Sequence, residues 1–153
     1  MNIHDIQELT RAQREKRFSR SSQLSLGQFI EEIEKAGLVE ENGDDKEICF
    51  DFGTAVPTCL DSWRGAYDEL ELGYKLTGYD SLEDSAEVKA KDILNELKSA
   101  IGKEFIGWKG GEYTMNENTP IWASNSGNAS NSAVVGVLDD GWRLIILTAY
   151  CEY

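Results

Sequence analysis

Ala133-Val-Val-Gly-Val-Leu138, Asp139-Asp-Gly141 and Trp142-Arg-Leu-Ile-Ile-Leu-Thr-Ala-Tyr150 decide how this chain folds. Two apolar runs rich in β-branched residues flank an Asp-Gly pair, and that dipeptide takes up the positive φ that a tight hairpin turn demands. The spacing predicts a C-terminal β-hairpin. Its second arm is apolar at almost every position from Trp142 to Leu147, which suits a strand in the middle of a sheet.

The preceding segments supply the rest of the sheet. Ile121-Trp-Ala123 and Phe105-Ile-Gly-Trp108 read as short strands. Leu70, Leu72, Tyr74 and Leu76 alternate with Glu69, Glu71, Gly73 and Lys75, the period-2 pattern of a half-buried strand with its glutamates on the wet face. Glu47 to Phe52 alternates as well. Residues 53–64, with Pro57 and Cys59, read as a loop.

Helical spacing appears in three places. Ser25 is a good N-cap for Leu26, Phe29, Ile30 and Ile33, and Gly37 supplies the stop. A second helix is expected over 82–100, with Val88, Ile93, Leu94, Leu97 and Ile101 inside and Gly102 ending it. Ile3, Ile6 and Leu9 mark a short stripe in a helical arm over 3–20, which Ser19 to Gln23 links to the body. The expected fold is α+β: a mostly antiparallel sheet with two or three helices packed on it. Residues 1–23 form the arm and linker, and 24–153 a single domain.

Charge and rare residues narrow the chemistry. The net charge of −13 disfavours direct binding to nucleic-acid phosphates. No apolar run is long enough to span a membrane, and no secretory leader is apparent, so a cytoplasmic location is expected. Cys49, Cys59 and Cys151 are odd in number and lack a CxxC spacing, which speaks against disulfides or a zinc site. His4 is the one histidine, so a histidine-based triad or histidine-rich metal site is not expected. Asp44/Asp45 and Asp139/Asp140 read as turn residues. The expectation is a non-catalytic protein with no cofactor and no metal.

Two blocks stand out. Asp61-Ser-Trp-Arg-Gly-Ala-Tyr67 and Gly107-Trp-Lys-Gly-Gly-Glu-Tyr-Thr114 each set an aromatic ring beside a cation and glycine. A ring stacks on a planar group, a cation pairs with an anion, and glycine admits close backbone approach. Candidate ligand-binding residues are therefore Trp63, Arg64, Gly65, Tyr67, Trp108, Lys109, Gly110, Gly111 and Thr114, with Thr119 and Trp122 as pocket walls. The competing reading is structural: Trp63 plugs the core, Arg64 pairs with Asp61 or Asp68, and Gly110-Gly111 makes a hairpin turn. Ser124 to Ser132 is a polar loop able to serve as a flap.

Leu26-Gly-Gln-Phe29, Phe50-Asp-Phe-Gly53, Ser62-Trp-Arg-Gly-Ala-Tyr67, Leu70-Glu-Leu-Gly-Tyr74, Gly107 to Met115 and Thr119-Pro-Ile-Trp122 carry a resemblance. In that order, across roughly residues 24–150, the chain resembles a family of small proteins from tailed-phage genomes that carries no assigned activity. The resemblance implies action inside an infected bacterial host, against its defences. One route is capture of a small nucleotide-like ligand by Trp63, Arg64, Trp108, Lys109 and the Gly110-Gly111 backbone, with a homo-oligomer interface as one setting. The other is nucleic-acid mimicry, in which Glu31, Glu32, Glu34, Glu40, Glu41, Asp44 and Asp45 block a host nuclease or DNA-binding defence protein.

Overall fold

The computed structural model describes residues 22–52, 55–76, 88–125 and 129–152. The arm expected over 3–20 and residues 82–87 of the helix expected over 82–100 lie outside the described residues, while Val88 and Lys89, expected in that helix, precede its first turn, with Lys89 in extended backbone. Those described form α1 (Leu26–Ala36), β1 (Glu47–Phe50), β2 (Ala55–Trp63), β3 (Ala66–Leu76), α2 (Ala90–Ala100), β4 (Glu104–Ile106), β5 (Glu112–Thr114), β6 (Ile121–Ala123), β7 (Ser132–Asp139) and β8 (Arg143–Tyr150). The class is α+β.

Local chemistry sets the ends of α1. Ser25 Oγ accepts the Gln28 backbone N–H at 3.2 Å, and Gln28 Oε1 accepts the Ser25 N–H at 2.9 Å, a reciprocal capping box. Leu26, Phe29, Ile30 and Ile33 then fall on one buried face. Gly37, at φ 84°, ends the helix, and Lys46 Nζ donates to the last helical carbonyl, that of Ala36, at 2.8 Å. In α2, Ile93, Leu94, Leu97 and Ala100 point inward. Ile101 was expected among them but is 43% exposed. Its backbone has already left the helical region, at φ −66° and ψ 120°, which turns the side chain out.

The main sheet has the order β1-β8-β7-β6-β3-β2, and β4 and β5 form a separate two-stranded sheet. β7 and β8 pair antiparallel across the Asp140–Trp142 turn, and β8 lies inside the sheet between β1 and β7. The sheet is mixed, with three antiparallel and two parallel pairings among the described strands, so the mostly antiparallel expectation holds in part. β1 runs parallel to β8 and β3 parallel to β6. Both parallel pairs join strands far apart in sequence, with α2 and the β4–β5 hairpin inside each connection. Parallel strands require a long crossover of that kind.

The segment over 55–63 is a strand, not the expected loop. β2 lies at a sheet edge and pairs only with β3, so the N–H that Pro57 lacks interrupts no second ladder. β1 and β2 occupy opposite edges, yet only residues 51–54 join them. Six flat strands would put those edges about 24 Å apart, whereas the connection reaches at most about 18 Å. The sheet therefore curls until its edges approach, and it is nearly closed.

Both faces of the sheet are buried. Ile48, Phe50, Leu70, Leu72, Ile121, Ala123, Val134, Leu144 and Ile146 join the buried sides of α1 and α2 in the larger core. Alternate residues, among them Trp122, Ala133, Val135, Ile145, Leu147 and Ala149, form a second core with Trp63. Glu69 and Glu71 belong to this second face. They were expected in solvent but are 7% and 1% exposed. Alternation identifies which side chains share a face; it does not reveal whether that face is covered.

Candidate functional site

Two hairpin tips meet at one end of the molecule. The first is Arg64-Gly65 between β2 and β3, closed by the Trp63–Ala66 pair. The second is 107–111 between β4 and β5, where the Gly107 N–H bonds to Gly111 O at 2.7 Å and the Gly110 N–H to Gly107 O at 2.9 Å. Gly110 has φ 89°, which favours glycine. These tips are locked together by aromatic packing. The Tyr67 and Tyr113 rings lie 6.1 Å apart, and Gly107 sits close against both.

The contact joining the two sequence blocks is between Arg64 and Trp108. The guanidinium carbon stands 5.4 Å from the centroid of the Trp108 ring, a cation–π arrangement. Arg64 is exposed, Trp108 is 48% exposed, and Lys109 next to it is also exposed. The ring and the guanidinium thus share an open platform, with exposed Lys109 next in the chain.

Other expected ligand residues have different surroundings. Trp63 is 1% exposed and stacks on Trp122 at 4.0 Å and 9°, so it holds the turn from below. Gly65 gives that ring space. Trp122 is fully buried and donates its indole N–H to Glu69 Oε1 at 2.9 Å. Gly110 spends its N–H within the turn, and Gly111 is exposed there. Thr114 is exposed on the side of β5 opposite Tyr113, with Glu104, Ile106 and Glu112. Glu112 raises the Glu104 pKa, chiefly by charge repulsion. Thr119 is buried, and its hydroxyl accepts the Asn116 N–H at 2.9 Å.

An acidic group that sequence reasoning placed in solvent lies under the tryptophan pair. Asp61 on β2 is directly opposite Glu71 on β3, and Glu69 is two residues along the same face. Neither carboxylate oxygen of Glu71 has a partner at good hydrogen-bond geometry, although the Ser124 side chain approaches it. Burial, reinforced by the Asp61 charge, pushes the Glu71 carboxyl up to about 7, although nearby Ser124 draws it partway back. The signal that could have found this group is the apolar character of β6 and β8, which leaves no wet face for β3 to share.

The acidic residues proposed for mimicry occupy α1 and the following turn. Glu31, Glu34, Glu41 and Asp44 are exposed; Glu32, Glu40 and Asp45 are partly so. Lys98 lies 3.5 Å from Glu34, and Lys91 bonds to Asp45 at 2.8 Å, holding its carboxyl below the ordinary value. Beside the turn is a groove of about 400 Å³ bounded by Val39, Glu40, Glu41, Lys46 and Asp139. Lys46 is buried and bonds to Asp139 at 3.2 Å.

All three cysteines are free; Cys59 is exposed, and burial pushes the Cys49 thiol up. Among the described residues, no three His, Cys, Asp or Glu side chains are grouped to hold a metal ion. No described helix is long and apolar enough to cross a membrane. No protein-family model matches the sequence, and no curated protein or solved structure matches it.

Proposed function

We propose that this is a non-catalytic phage protein that acts in the host cytoplasm to sequester a small nucleotide-like or phosphorylated ligand. Its platform is Arg64, Trp108 and Lys109. The supporting observation is the 5.4 Å approach of Arg64 to the exposed Trp108 ring from a separate hairpin. A planar base stacks on the half-open indole, while the guanidinium fork and the Lys109 ammonium take the phosphate oxygens. Tyr67 and Tyr113 keep the tips in register. The net charge of −13 opposes capture of an anion at long range, so these two local cations carry the recognition.

Titration with adenosine monophosphate and with a cyclic dinucleotide, read by tryptophan fluorescence, tests this. Saturable quenching is expected, about tenfold weaker or worse in Arg64→Ala, the scale of a lost charged contact. Trp108→Ala should lose the signal while melting normally. A folded protein that ignores both probes sinks the reading for these ligands.

The second reading is an acidic inhibitor of a host nuclease or DNA-binding protein. Its support is the exposed carboxylate surface of Glu31, Glu34, Glu41 and Asp44 beside the Glu40–Asp139 groove. Charge reversal at Glu31, Glu34 and Glu41 should abolish inhibition by a mimic and leave ligand capture intact.

A further inference from the structure

Asp61, Glu71 and Trp122 form one rung across β2, β3 and β6, because the register sets Asp61 against Glu71 and Glu71 against Trp122. Residues opposite one another on adjacent strands share a face, with Cβ atoms roughly 4.5–5.5 Å apart. Glu71 is 1% exposed, and both of its carboxylate oxygens lack a partner at good hydrogen-bond geometry. Ionised, it would be a buried charge facing a second negative charge, offset only in part by the Ser124 side chain. As a neutral acid it escapes both penalties.

The described groups around it do not supply the missing cation. β2 presents Asp61, and β3 itself adds Glu69, whose carboxylate is engaged by the Trp122 indole. β6 contributes Trp122 and leads into Ser124, and β7 brings Ala133 opposite Trp122. Among the described residues, no lysine or arginine acts on Glu71. The tryptophan stack rests on this same rung, since Trp122 packs face to face on Trp63 at 4.0 Å.

We propose that Glu71 is a proton-operated latch on the tryptophan pair. Held as the neutral acid, it keeps the Asp61–Glu71–Trp122 rung closed; release of its proton to solvent opens the rung and loosens the Trp63–Trp122 stack. The midpoint falls near neutrality, where burial and Asp61 place this carboxyl. Trp63 runs directly into Arg64, so the loosening reaches the β2–β3 turn. The latch operates whether or not a ligand binds there.

Two stacked indoles give an exciton couplet in circular dichroism that separated indoles lack, and this reports the stack itself. The titration is run in a His4→Gln background, because an imidazole ionises in the same range. Most of the couplet should vanish as pH rises through about 7, with far-ultraviolet helix and sheet signals retained. Glu71→Gln should keep the couplet throughout, and Asp61→Asn should move the midpoint to lower pH by removing the opposing charge. A couplet indifferent to pH, or a transition that persists in Glu71→Gln, overturns the proposal. If Glu71→Gln fails to fold, Asp61→Asn decides: a lowered midpoint supports the latch and an unmoved one overturns it.

Discussion

Gly65 lies flat against the ring of Trp63: a Cβ placed there would come within 2.4 Å of Cη2, 2.6 Å of Cζ2 and 2.7 Å of Cζ3. The ring cannot yield easily, because Trp122 is stacked on it. Gly65→Ala is expected to cost about 1–3 kcal/mol, the usual scale of overpacking. The measurement is the urea midpoint, which should fall with an unchanged slope. An unmoved midpoint would mean that the stack is free to shift.

Gly107 plays the corresponding part between the hairpins. Its Cβ would stand 2.8 Å from Tyr113 Cε2 and 3.2 Å from Tyr67 Cβ. Gly107→Ala should push the β4–β5 tip away from Tyr67 and separate Trp108 from Arg64. A red-shifted Trp108 emission with little change in melting would record that separation. Emission identical to wild type would place the alignment elsewhere.

Thermal stability should depend on pH through Glu71. Its folded value of about 7 lies above the ordinary 4.5, so between the two the folded chain retains a proton that the unfolded chain has lost. Stability from this group is full below the unfolded value and disappears as pH rises through the folded one. Tm should therefore fall from about pH 4.5 to about pH 7 and level off above it, and Glu71→Gln should flatten that slope. A Tm that climbs over the same range, with Glu71→Gln unchanged from wild type, would contradict the assignment.

Asp51 ties the end of β1 to β8. Its carboxylate accepts the Thr148 backbone N–H at 2.9 Å and the Thr148 hydroxyl at 2.7 Å, and Thr148 is 4% exposed. Asp51→Ala leaves that buried donor pair without its acceptor, at a cost of about 1–3 kcal/mol. Asp51→Asn, which keeps one carbonyl acceptor, should lose less. Chemical denaturation of both variants tests the order.

Sequence reading reached the local devices and stopped at the non-local ones. The Ser25 cap, the Gly37 stop and the apolar run of β8 are written in neighbouring residues, and they could be read there. Pro57 misled because its cost depends on whether a strand is an edge, a property of the assembled sheet. The parallel partnerships of β1 with β8 and β3 with β6 span too much chain for spacing to show. Glu69 and Glu71 alternate as a wet face should, and only the packing of the second core reveals their burial. At the candidate site, both blocks were visible as motifs. What sequence could not supply was that Arg64 lies over Trp108 while Trp63 faces the other way, into Trp122.

The placement of β8 also dictates an order of assembly. β1 leaves the ribosome early, yet its sheet partner, β8, is the last of the described strands. Until residues 143–150 emerge, β1 has no ladder to join and β7 no strand on one side. The nascent polypeptide therefore carries β1 without its ladder while the roughly ninety residues before β8 are made, a period when strand-to-strand aggregation is easiest. Closure of the sheet waits on its long-range pairings, and insertion of the β8 strand completes it.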